Sequence, residues 1–435
     1  MKNKKIYGFV LLALIIMLLP IGMISAKYKQ TKEVGSVTLD ITAEPPILSA
    51  NWKNKLEIYP TTLVVDSFTD ENGINKYESL QWENGTSIGY DSKNANGFKN
   101  NVRLFVDDNT AYILAQGKNP VTLPKNSSQL FYGLNTRLSN IKTIKFNHVD
   151  TSNVTDMSSM FSNCLNLASL DVSRFNTSGV LNMYGMFSMC QNLLSLDICS
   201  FNTSYVTNMG NMFNYCQKLT SLNVSGFNTS SVTNMANMFN GCNSLTNLDV
   251  SNFDTSKVSN MTNMFSNCDK LTSLNLSNFN TSNVTDMSYM FYRCYFLTSL
   301  DLSSFNTSNV KNMQNMFESC KTLTSLDLSS FDTSNVTSMS GMFSGCNSLV
   351  TIYVSDDWNL IKVTTSSSMF EGCTRLKGGA GTPHSSSYID KTYARIDGDD
   401  GKPGYLTRKE TNTALNTFSL VQEGGTITGT KTTGN

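Results

Sequence analysis

Large apolar side chains recur along most of the chain with a fixed spacing of 26 residues. The pair Met-Phe begins at residue 160 and returns at 186, 212, 238, 264, 290, 316 and 342, and once more at 369 after 27 residues. Serine, threonine and asparagine fill most of the positions between these pairs. A fixed period of this length is typical of repeat proteins, in which each unit packs only against its neighbours.

One unit, residues 323–348, shows the pattern within each repeat. Leucines alternate with polar residues at its start, which predicts a short strand with one buried face. Asp332-Thr333-Ser334 then supplies the small oxygen-bearing side chains that initiate turns and cap helices. The next apolar residues recur every three or four positions, which predicts one face of a helix or of linked 3₁₀ turns: Val336, Met339, Met342, Phe343 and Cys346.

These elements predict an α/β repeat. We expect a leucine-rich-repeat solenoid with a parallel sheet on one side, preceded by a small N-terminal β-rich region. The methionine and cysteine columns are interpreted as core, because methionine adapts to irregular space and a free cysteine behaves as a small hydrophobe. A secreted chain with ten cysteines invites disulfides. Equivalent cysteines of stacked units point in parallel, however, so we expect buried free thiols, with Cys199 alone on the outer face.

Two sets of residues carry a family resemblance. The segment Phe279–Cys294 reads FNTSNVTDMSYMFYRC, and GGAGTP (378–383), TYARID (392–397) and PGYLT (403–407) follow the last repeat. Over residues 102–410 the chain resembles the BspA-like leucine-rich-repeat surface proteins, in their 26-residue variety first catalogued among mycoplasma lipoproteins as a domain of unknown function. The resemblance implies a surface protein that adheres to or binds other proteins. Phe331 stands where commoner leucine-rich repeats have asparagine, so their asparagine ladder is not expected.

The chain divides into five predicted regions. Residues 1–26 have a basic start and an apolar run at residues 6–24, which predicts a signal peptide or, if it is retained, a membrane anchor. Residues 27–101 predict a β-rich region or stalk. The repeat array is assigned to 102–385, with a degenerate first unit in which Leu130-Phe131 replaces Met-Phe and Ile144 is a strand residue. Residues 386–410 form the closing segment, and residues 411–435 are predicted to be a disordered tail.

Charge and chemistry exclude several classes of function. Lys+Arg and Asp+Glu number 33 each and only 15% of residues are charged, which argues against nucleic-acid binding. The two histidines, His148 and His384, have no partner at metal-ligand spacing. The segment Asp397–Gly401 hints at a calcium loop, but Arg408 stands where an EF-hand needs glutamate. We therefore predict no enzyme, no catalytic or metal site and no cofactor.

One exposed strip is a candidate binding surface. The polar residue between the last two apolar residues of each predicted strand should point outward on the concave face: Asp171, Asp197, Asn223, Asp249, Asn275, Asp301 and Asp327. We predict an extracellular or cell-surface protein that binds a protein or cell-surface ligand through this strip, with membrane attachment through residues 6–24 if they are retained. The alternative is a passive spacer or envelope-matrix protein without a specific ligand. Tryptophan, tyrosine and arginine, which dominate binding hot spots, are missing from the strip.

Overall fold

The structure of the chain is a computed structural model that describes residues 25–29, 38–42, 62–77, 79–81, 86–87, 102–107, 110–133, 140–410, 417–423 and 426–432. The apolar segment 6–24 lies outside these residues. Among the residues described, no helix has the length and apolar character needed to cross a membrane.

The described residues form fifteen short strands. They are β1 (Ser25–Lys29), β2 (Thr38–Thr42), β3 (Thr62–Ser67), β4 (Thr86–Ser87), β5 (Val102–Asp107), β6 (Thr110–Ala115), β7 (Val121–Thr122), β8 (Thr143–Phe146), β9 (Val149–Asp150), β10 (Ser169–Leu170), β11 (Ser325–Leu328), β12 (Thr351–Val354), β13 (Leu406–Arg408), β14 (Thr417–Glu423) and β15 (Thr426–Thr432). Short 3₁₀ turns lie at Lys391–Tyr393 and Asp399–Gly401.

Strands from the N-terminal region and from the first repeats share one sheet. Its strand order is β10-β8-β3-β6-β5-β4. β3 lies parallel to both β8 and β6, β5 is antiparallel to β6 and β4, and β10 continues the sheet in parallel beyond β8. This sheet crosses the predicted boundary at residue 101, and β3 lies directly beside β8 at the start of the repeat array.

The tail and the chain end of the array also carry strands. β14 and β15 pair as an antiparallel hairpin within the region predicted to be disordered. That stretch has a low-complexity composition, but it also contains β-branched and apolar residues in alternation, which suits a strand. β11, β12 and β13 form a parallel three-stranded sheet in which the closing segment supplies β13.

The repeats form a stack of coils joined by backbone hydrogen bonds. We number the coils 1 to 9 by their Met-Phe pairs, from Met160-Phe161 to Met369-Phe370, and call the degenerate unit with Leu130-Phe131 coil 0. In coil 1 the N–H groups of Met157, Ser159, Phe161 and Asn163 donate to carbonyls 25 residues further along, at 2.7–2.9 Å. The same bonds recur through the array, and isolated parallel bridges from Asn126 to Thr365 mark the register.

Of the two forms predicted for this side, a helix or linked 3₁₀ turns, the helix is absent and a run of turns is present. Residues 140–410, described without a gap, contain no α-helix. The segment from Met157 to Cys164 is a run of turns, in which Met160 N–H donates to Met157 O and Ser162 N–H to Ser159 O. Ser159 and Asn163 have φ of 52° and 65°. An α-helix would use its N–H groups internally, whereas this run leaves alternate N–H groups free to bond the next coil.

The predicted strand side is present but weakly paired. The leucine segments form parallel strands at the two ends of the array, as β8–β10 and as β11–β12. Between Leu196 and Leu300 the leucine segments of adjacent coils are joined by a single backbone bond, from Thr298 N–H to Thr272 O at 3.1 Å. The coils are therefore held together mainly at the Met157–Cys164 segment and its equivalents, which we call the turn side.

The interior consists of columns of identical side chains. The methionine, phenylalanine, valine and cysteine columns of coils 1 to 9 are almost wholly buried, as predicted. The Met-Phe phenylalanine rings stack from coil to coil with centroids 5.5–5.9 Å apart and planes within 13° of parallel. Phe131 of coil 0 continues this stack onto Phe161 at 5.4 Å.

A buried threonine in each of coils 1 to 8 bridges to the next coil. The Thr281 hydroxyl donates to Asn306 O at 2.8 Å and accepts from Asn306 N–H at 2.9 Å. The hydroxyl of the equivalent threonine donates in the same way in the other seven of these coils: Thr151, Thr177, Thr203, Thr229, Thr255, Thr307 and Thr333. This column satisfies half-buried backbone groups between adjacent coils.

The cysteine column has a hydrogen-bonding role of its own. Each thiol donates to the phenylalanine carbonyl of the preceding coil at 3.0–3.3 Å, as Cys294 does to Phe265 O. Nine of the ten cysteines are buried and Cys199 is exposed, and all ten carry free thiols. A small side chain with a weak S–H donor fits this position, because little volume remains beside the stacked rings.

The closing segment seals the last coil. Tyr405 is fully buried and meets Phe370, the end of the ring stack, edge-on at 5.2 Å. Asp397 accepts hydrogen bonds from Thr382 N–H, Thr382 hydroxyl and Gly404 N–H. A Cβ on Gly404 would lie 2.3 Å from Arg395 O, so only glycine allows this close approach.

The threonine bridge generates a stability prediction. Thr281→Val keeps the volume but removes the hydroxyl that pairs with the Asn306 N–H and carbonyl at a half-buried site, which should cost about 0.5–1.5 kcal/mol. Thr281→Ser keeps the hydroxyl and should cost less. Urea unfolding of both variants measures the difference, and equal stabilities would show that the bridge contributes nothing.

The buried thiols predict a loss of stability at alkaline pH. Burial raises the pKa of Cys216, Cys294 and Cys373 to about 12 from an ordinary value of 9.0. The folded state then keeps protons that the unfolded state has lost, so the stabilisation is complete below pH 9 and declines between pH 9 and 12. Each such thiol should lower the unfolding free energy by about 1.4 kcal/mol per pH unit in that window.

Cys294→Ala provides the control for this pH dependence. The variant should show a slope between pH 9 and 12 that is shallower than the parent's by one thiol's share, whatever its stability at neutral pH. An unchanged slope would mean that this thiol ionises equally easily in both states.

Candidate functional site

The structure places the whole predicted strip at the surface. The seven side chains from Asp171 to Asp327 are all exposed and occupy equivalent positions on successive coils. In each coil the strip residue is flanked by a buried leucine before it and a buried Val, Ile or Leu after it. The outward orientation expected from the alternation is therefore observed.

Each strip residue also performs a structural task. Asp249 Oδ1 accepts a hydrogen bond from Ser251 N–H at 3.0 Å and from the Ser251 hydroxyl at 2.6 Å. Asn223 and Asn275 accept the same bond from the N–H two residues on. These are Asx turns, in which aspartate and asparagine are interchangeable. Turn formation thus explains why only these two residue types occur in the strip.

Three strip carboxylates, Asp171, Asp249 and Asp301, stay ionised near neutral pH. Hydrogen bonds from Ser173, Ser251 and Ser303 lower the pKa of Asp171, Asp249 and Asp301. Two further Asx-turn columns run along the array, at the positions of Asn280 and Asp286. Whether a coil contributes a negative charge to the strip therefore depends on whether aspartate or asparagine forms its Asx turn.

One strip carboxylate contacts the closing segment. Lys409 Nζ lies 2.9 Å from Asp327 Oδ2 and 4.9 Å from the centre of the Tyr353 ring. Burial acts to raise the pKa of Asp327, but hydrogen bonds from Ser329 and Lys409 outweigh it and lower the pKa. The last strip position is thus engaged within the chain.

Coil 6 carries an aromatic cluster that the sequence reasoning missed. Tyr289 and Tyr292 meet edge-on at 5.5 Å, and the Arg293 guanidinium lies 5.0 Å from the centre of the Tyr292 ring. Tyr295 lies under Lys321 Nζ at 4.6 Å, and Phe296 is 55% exposed. We call Tyr289, Tyr292, Arg293, Tyr295 and Phe296 the coil 6 patch.

The patch is a departure from the repeat, and the sequence could have revealed it. Coils 4 and 5 have Asn, Asn, Gly, Asn, Ser and Asn, Ser, Asn, Asp, Lys at the five equivalent positions. The leucine segment, which carries the predicted strip, has no tyrosine or arginine at its strip positions. The patch lies instead on the turn side and just after it. Comparing aligned repeats position by position would have found it.

Two patch residues have an unfavourable backbone conformation. Tyr289 and Arg293 have φ of 59° and 57°. Every other coil has Asn, Gly or Ser in at least one of these two left-handed positions, and Asn and Gly tolerate them best. Coil 6 is the coil in which both positions hold bulky side chains, which costs about 1 kcal/mol at each.

A polar cavity of about 340 Å³ lies beside the N-terminal sheet. It is lined by Ser67, Thr69, Asp70, Lys76, Lys118 and His148 among others. Behind it, the buried carboxylate of Asp66 accepts bonds from Lys76 Nζ at 2.8 Å and Tyr77 hydroxyl at 2.7 Å. These groups satisfy one another, so the cluster ties β3 to the following loop.

The pKa shifts in this cluster follow from burial and pairing. Burial acts to raise the pKa of Asp66, but hydrogen bonds from Lys76 and Tyr77 outweigh it and lower the pKa. Burial and the neighbouring Lys76 lower the pKa of His148. His148 is therefore neutral at pH 7 and lies near the ion pair between Lys76 and Asp66.

The remaining candidates from the sequence have structural partners. His384 Nε2 lies 2.9 Å from Phe370 O, and its ring stacks on Tyr405. Asp397, at the start of the suspected calcium loop, is engaged with Thr382 and Gly404. Within the described part of the chain, no group of three or more His, Cys, Asp or Glu side chains is placed to hold a metal ion.

Comparison with known proteins identifies the repeat. The family model described as "Mycoplasma protein of unknown function, DUF285" matches three times in tandem, at residues 125–226, 216–300 and 272–382. Together these matches span more than half of the 435 residues. Comparison with curated proteins and comparison with solved structures gave no match.

The Asx turns of the strip generate a prediction about stability. Asp249→Asn should fold as stably as the parent, since Asn223 and Asn275 make the same turn. Asp249→Ala removes the acceptor for Ser251 N–H and should cost about 0.5–1.5 kcal/mol. Urea unfolding midpoints decide between them, and an alanine variant as stable as the asparagine variant would argue against the turn role.

Proposed function

We propose that this chain, which belongs to the Mycoplasma protein family of unknown function DUF285, is a surface-displayed or secreted binding protein for other proteins or cell surfaces. Its repeats would serve as a framework, and its exposed positions would make the contacts. We further propose that the array is a leucine-rich-repeat solenoid of the BspA-like variety.

The observation that carries the proposal is the division between buried and exposed positions. Each coil repeats the same valine, methionine, phenylalanine and cysteine in the core. Position 181 and its equivalents at 207, 233, 259, 285, 311, 337 and 364 are all exposed and hold Leu, Thr, Ser or Lys. Such positions can change without disturbing the columns beneath them, as in repeat proteins that bind other proteins.

The leucine-rich-repeat assignment is supported by the leucine segments. β11 and β12 pair in parallel with the inward leucines in register, so that Leu326 faces Ile352 and Leu328 faces Val354. A surface location is supported by the apolar run at residues 6–24 and by the low proportion of charged residues, 15%.

The alternative proposal is a passive spacer. It is favoured by the Asx turns, because they account for the aspartates of the strip without any ligand. A spacer would need only length and stability, both of which the stack of coils supplies. The two proposals differ in whether the exposed side chains have a saturable partner.

An adhesion assay with the full chain tests the proposed function. Beads coated with the chain should bind cultured host cells or matrix proteins saturably, and soluble chain should compete. In the variant Asp171→Asn, Asp197→Asn, Asp249→Asn, Asp301→Asn and Asp327→Asn the Asx turns persist. If the strip's charge contributes, this variant should adhere more weakly than the parent at low salt, and the difference between them should disappear at high salt.

The outcomes separate the two proposals. Saturable adhesion that soluble chain inhibits supports a binding protein. A salt-dependent difference between the parent and the five-Asn variant would show that the strip contributes, and equal adhesion of the two would show that it does not. Failure of the parent chain to adhere saturably to any cell or matrix surface tested would contradict the binding function and favour the spacer.

A further inference from the structure

The coil 6 patch combines the side chains that dominate protein-binding hot spots. Tyrosine and arginine are enriched at hot spots, and large aromatic side chains lose little conformational entropy on binding. Tyr289 is further oriented by Gln314, whose Nε2 donates to the tyrosine hydroxyl at 3.1 Å. The contacts among Tyr289, Tyr292 and Arg293 hold the group in one arrangement before any partner arrives.

The conformation of coil 6 argues that the patch has a task besides packing. Tyr289 and Arg293 occupy left-handed positions that Asn or Gly fill at lower cost in the neighbouring coils. The core beneath is the same as in those coils, with Met290, Phe291 and Cys294 fully buried. The bulky residues therefore add nothing that the coil needs for stacking, and backbone strain of this kind concentrates at functional sites.

The charges around the patch indicate its partner. Arg293 and Lys321 lie on tyrosine rings, and neither forms an ion pair within residues 140–410. Asp269 accepts a hydrogen bond from Asn243 at 2.9 Å and Glu318 accepts one from Asn315, and neither carboxylate lies within ion-pair distance of Arg293 or Lys321. The charge of Glu318 acts on Arg293 from further away. A partner thus meets two cations without a contacting carboxylate, beside an exposed phenylalanine.

We propose that the coil 6 patch is the docking site for an acidic segment of a partner protein. Carboxylates of that segment pair with Arg293 and Lys321, while an apolar side chain packs on Phe296 and Tyr295. Guanidinium and carboxylate groups form the strongest charge-assisted hydrogen bonds available to such a surface. This inference rests on the proposed binding function and names the partner chemistry and the site.

The repeat supplies substitutions that remove the patch and keep the fold. Each replacement stands at the equivalent position of another coil: Tyr289→Asn, Tyr292→Ser, Arg293→Asn, Tyr295→Asn and Phe296→Ser. Because asparagine tolerates left-handed φ, this patch variant should melt no lower than the parent. A matched control, Leu181→Thr with Tyr205→Asn, removes two exposed apolar side chains from coils 2 and 3.

A random peptide library displayed on phage is the probe. Selection on the immobilised full chain should enrich peptides that combine aspartate or glutamate with leucine or an aromatic residue. Synthetic versions should bind the patch variant at least about 10-fold more weakly than the parent, as expected for loss of a hot spot. The matched control should bind like the parent, and peptides with amides in place of the acids should not bind.

Other results would overturn the proposal. These are no enriched peptide, enrichment of basic or uncharged peptides, or acidic peptides that bind the parent and the patch variant equally. Vesicles of anionic lipid that bind the parent in a patch-dependent manner, while no peptide does, would reassign the site to a membrane surface and likewise overturn it.

Adhesion measured with the same variants separates this proposal from the general one. A patch variant that adheres like the parent, together with absence of acidic-peptide binding, contradicts the patch and leaves the binding function standing. A parent that binds acidic peptides through the patch but never adheres saturably contradicts the adhesion function and supports the patch.

Discussion

The structure depends on one constraint, which is that each coil must satisfy its backbone polar groups on the next coil. Alternate N–H groups on the turn side donate to carbonyls 25 or 26 residues along the chain, with three or four such bonds between each pair of coils 1 to 9. That pattern requires left-handed residues at two positions per coil. It therefore favours Asn and Gly there and excludes an α-helix.

Stacking at a fixed pitch also determines the core. Side chains at equivalent positions must pack against copies of themselves, which suits flat phenylalanine rings and adaptable methionines. Polar atoms in this interior need partners on the neighbouring coil. The Thr281 hydroxyl and the Cys294 thiol meet that need, because each reaches a backbone carbonyl of an adjacent coil. Identical coils are thus a physical requirement of the stack.

The repeat, the buried columns and the outward strip could be predicted from residue spacing, because period and burial are linked directly. The turn side could not be predicted in the same way. Val336, Met339 and Met342 recur at intervals that a helix and a run of turns share, and only the left-handed residues distinguish them. The coil 6 patch does not follow from the repeat pattern, because its residues differ from those at the equivalent positions of the other coils.

The central claim is that the coils are held together on the turn side rather than on the leucine side. Amide hydrogen exchange of the native protein tests it most directly. The N–H groups of Phe239 and Phe265 donate to the next coil, whereas those of Leu248 and Leu274 have no backbone acceptor. We predict that the phenylalanine amides exchange only when the array unfolds. The leucine amides should exchange orders of magnitude faster, through local openings. Equal protection of both sets would contradict it.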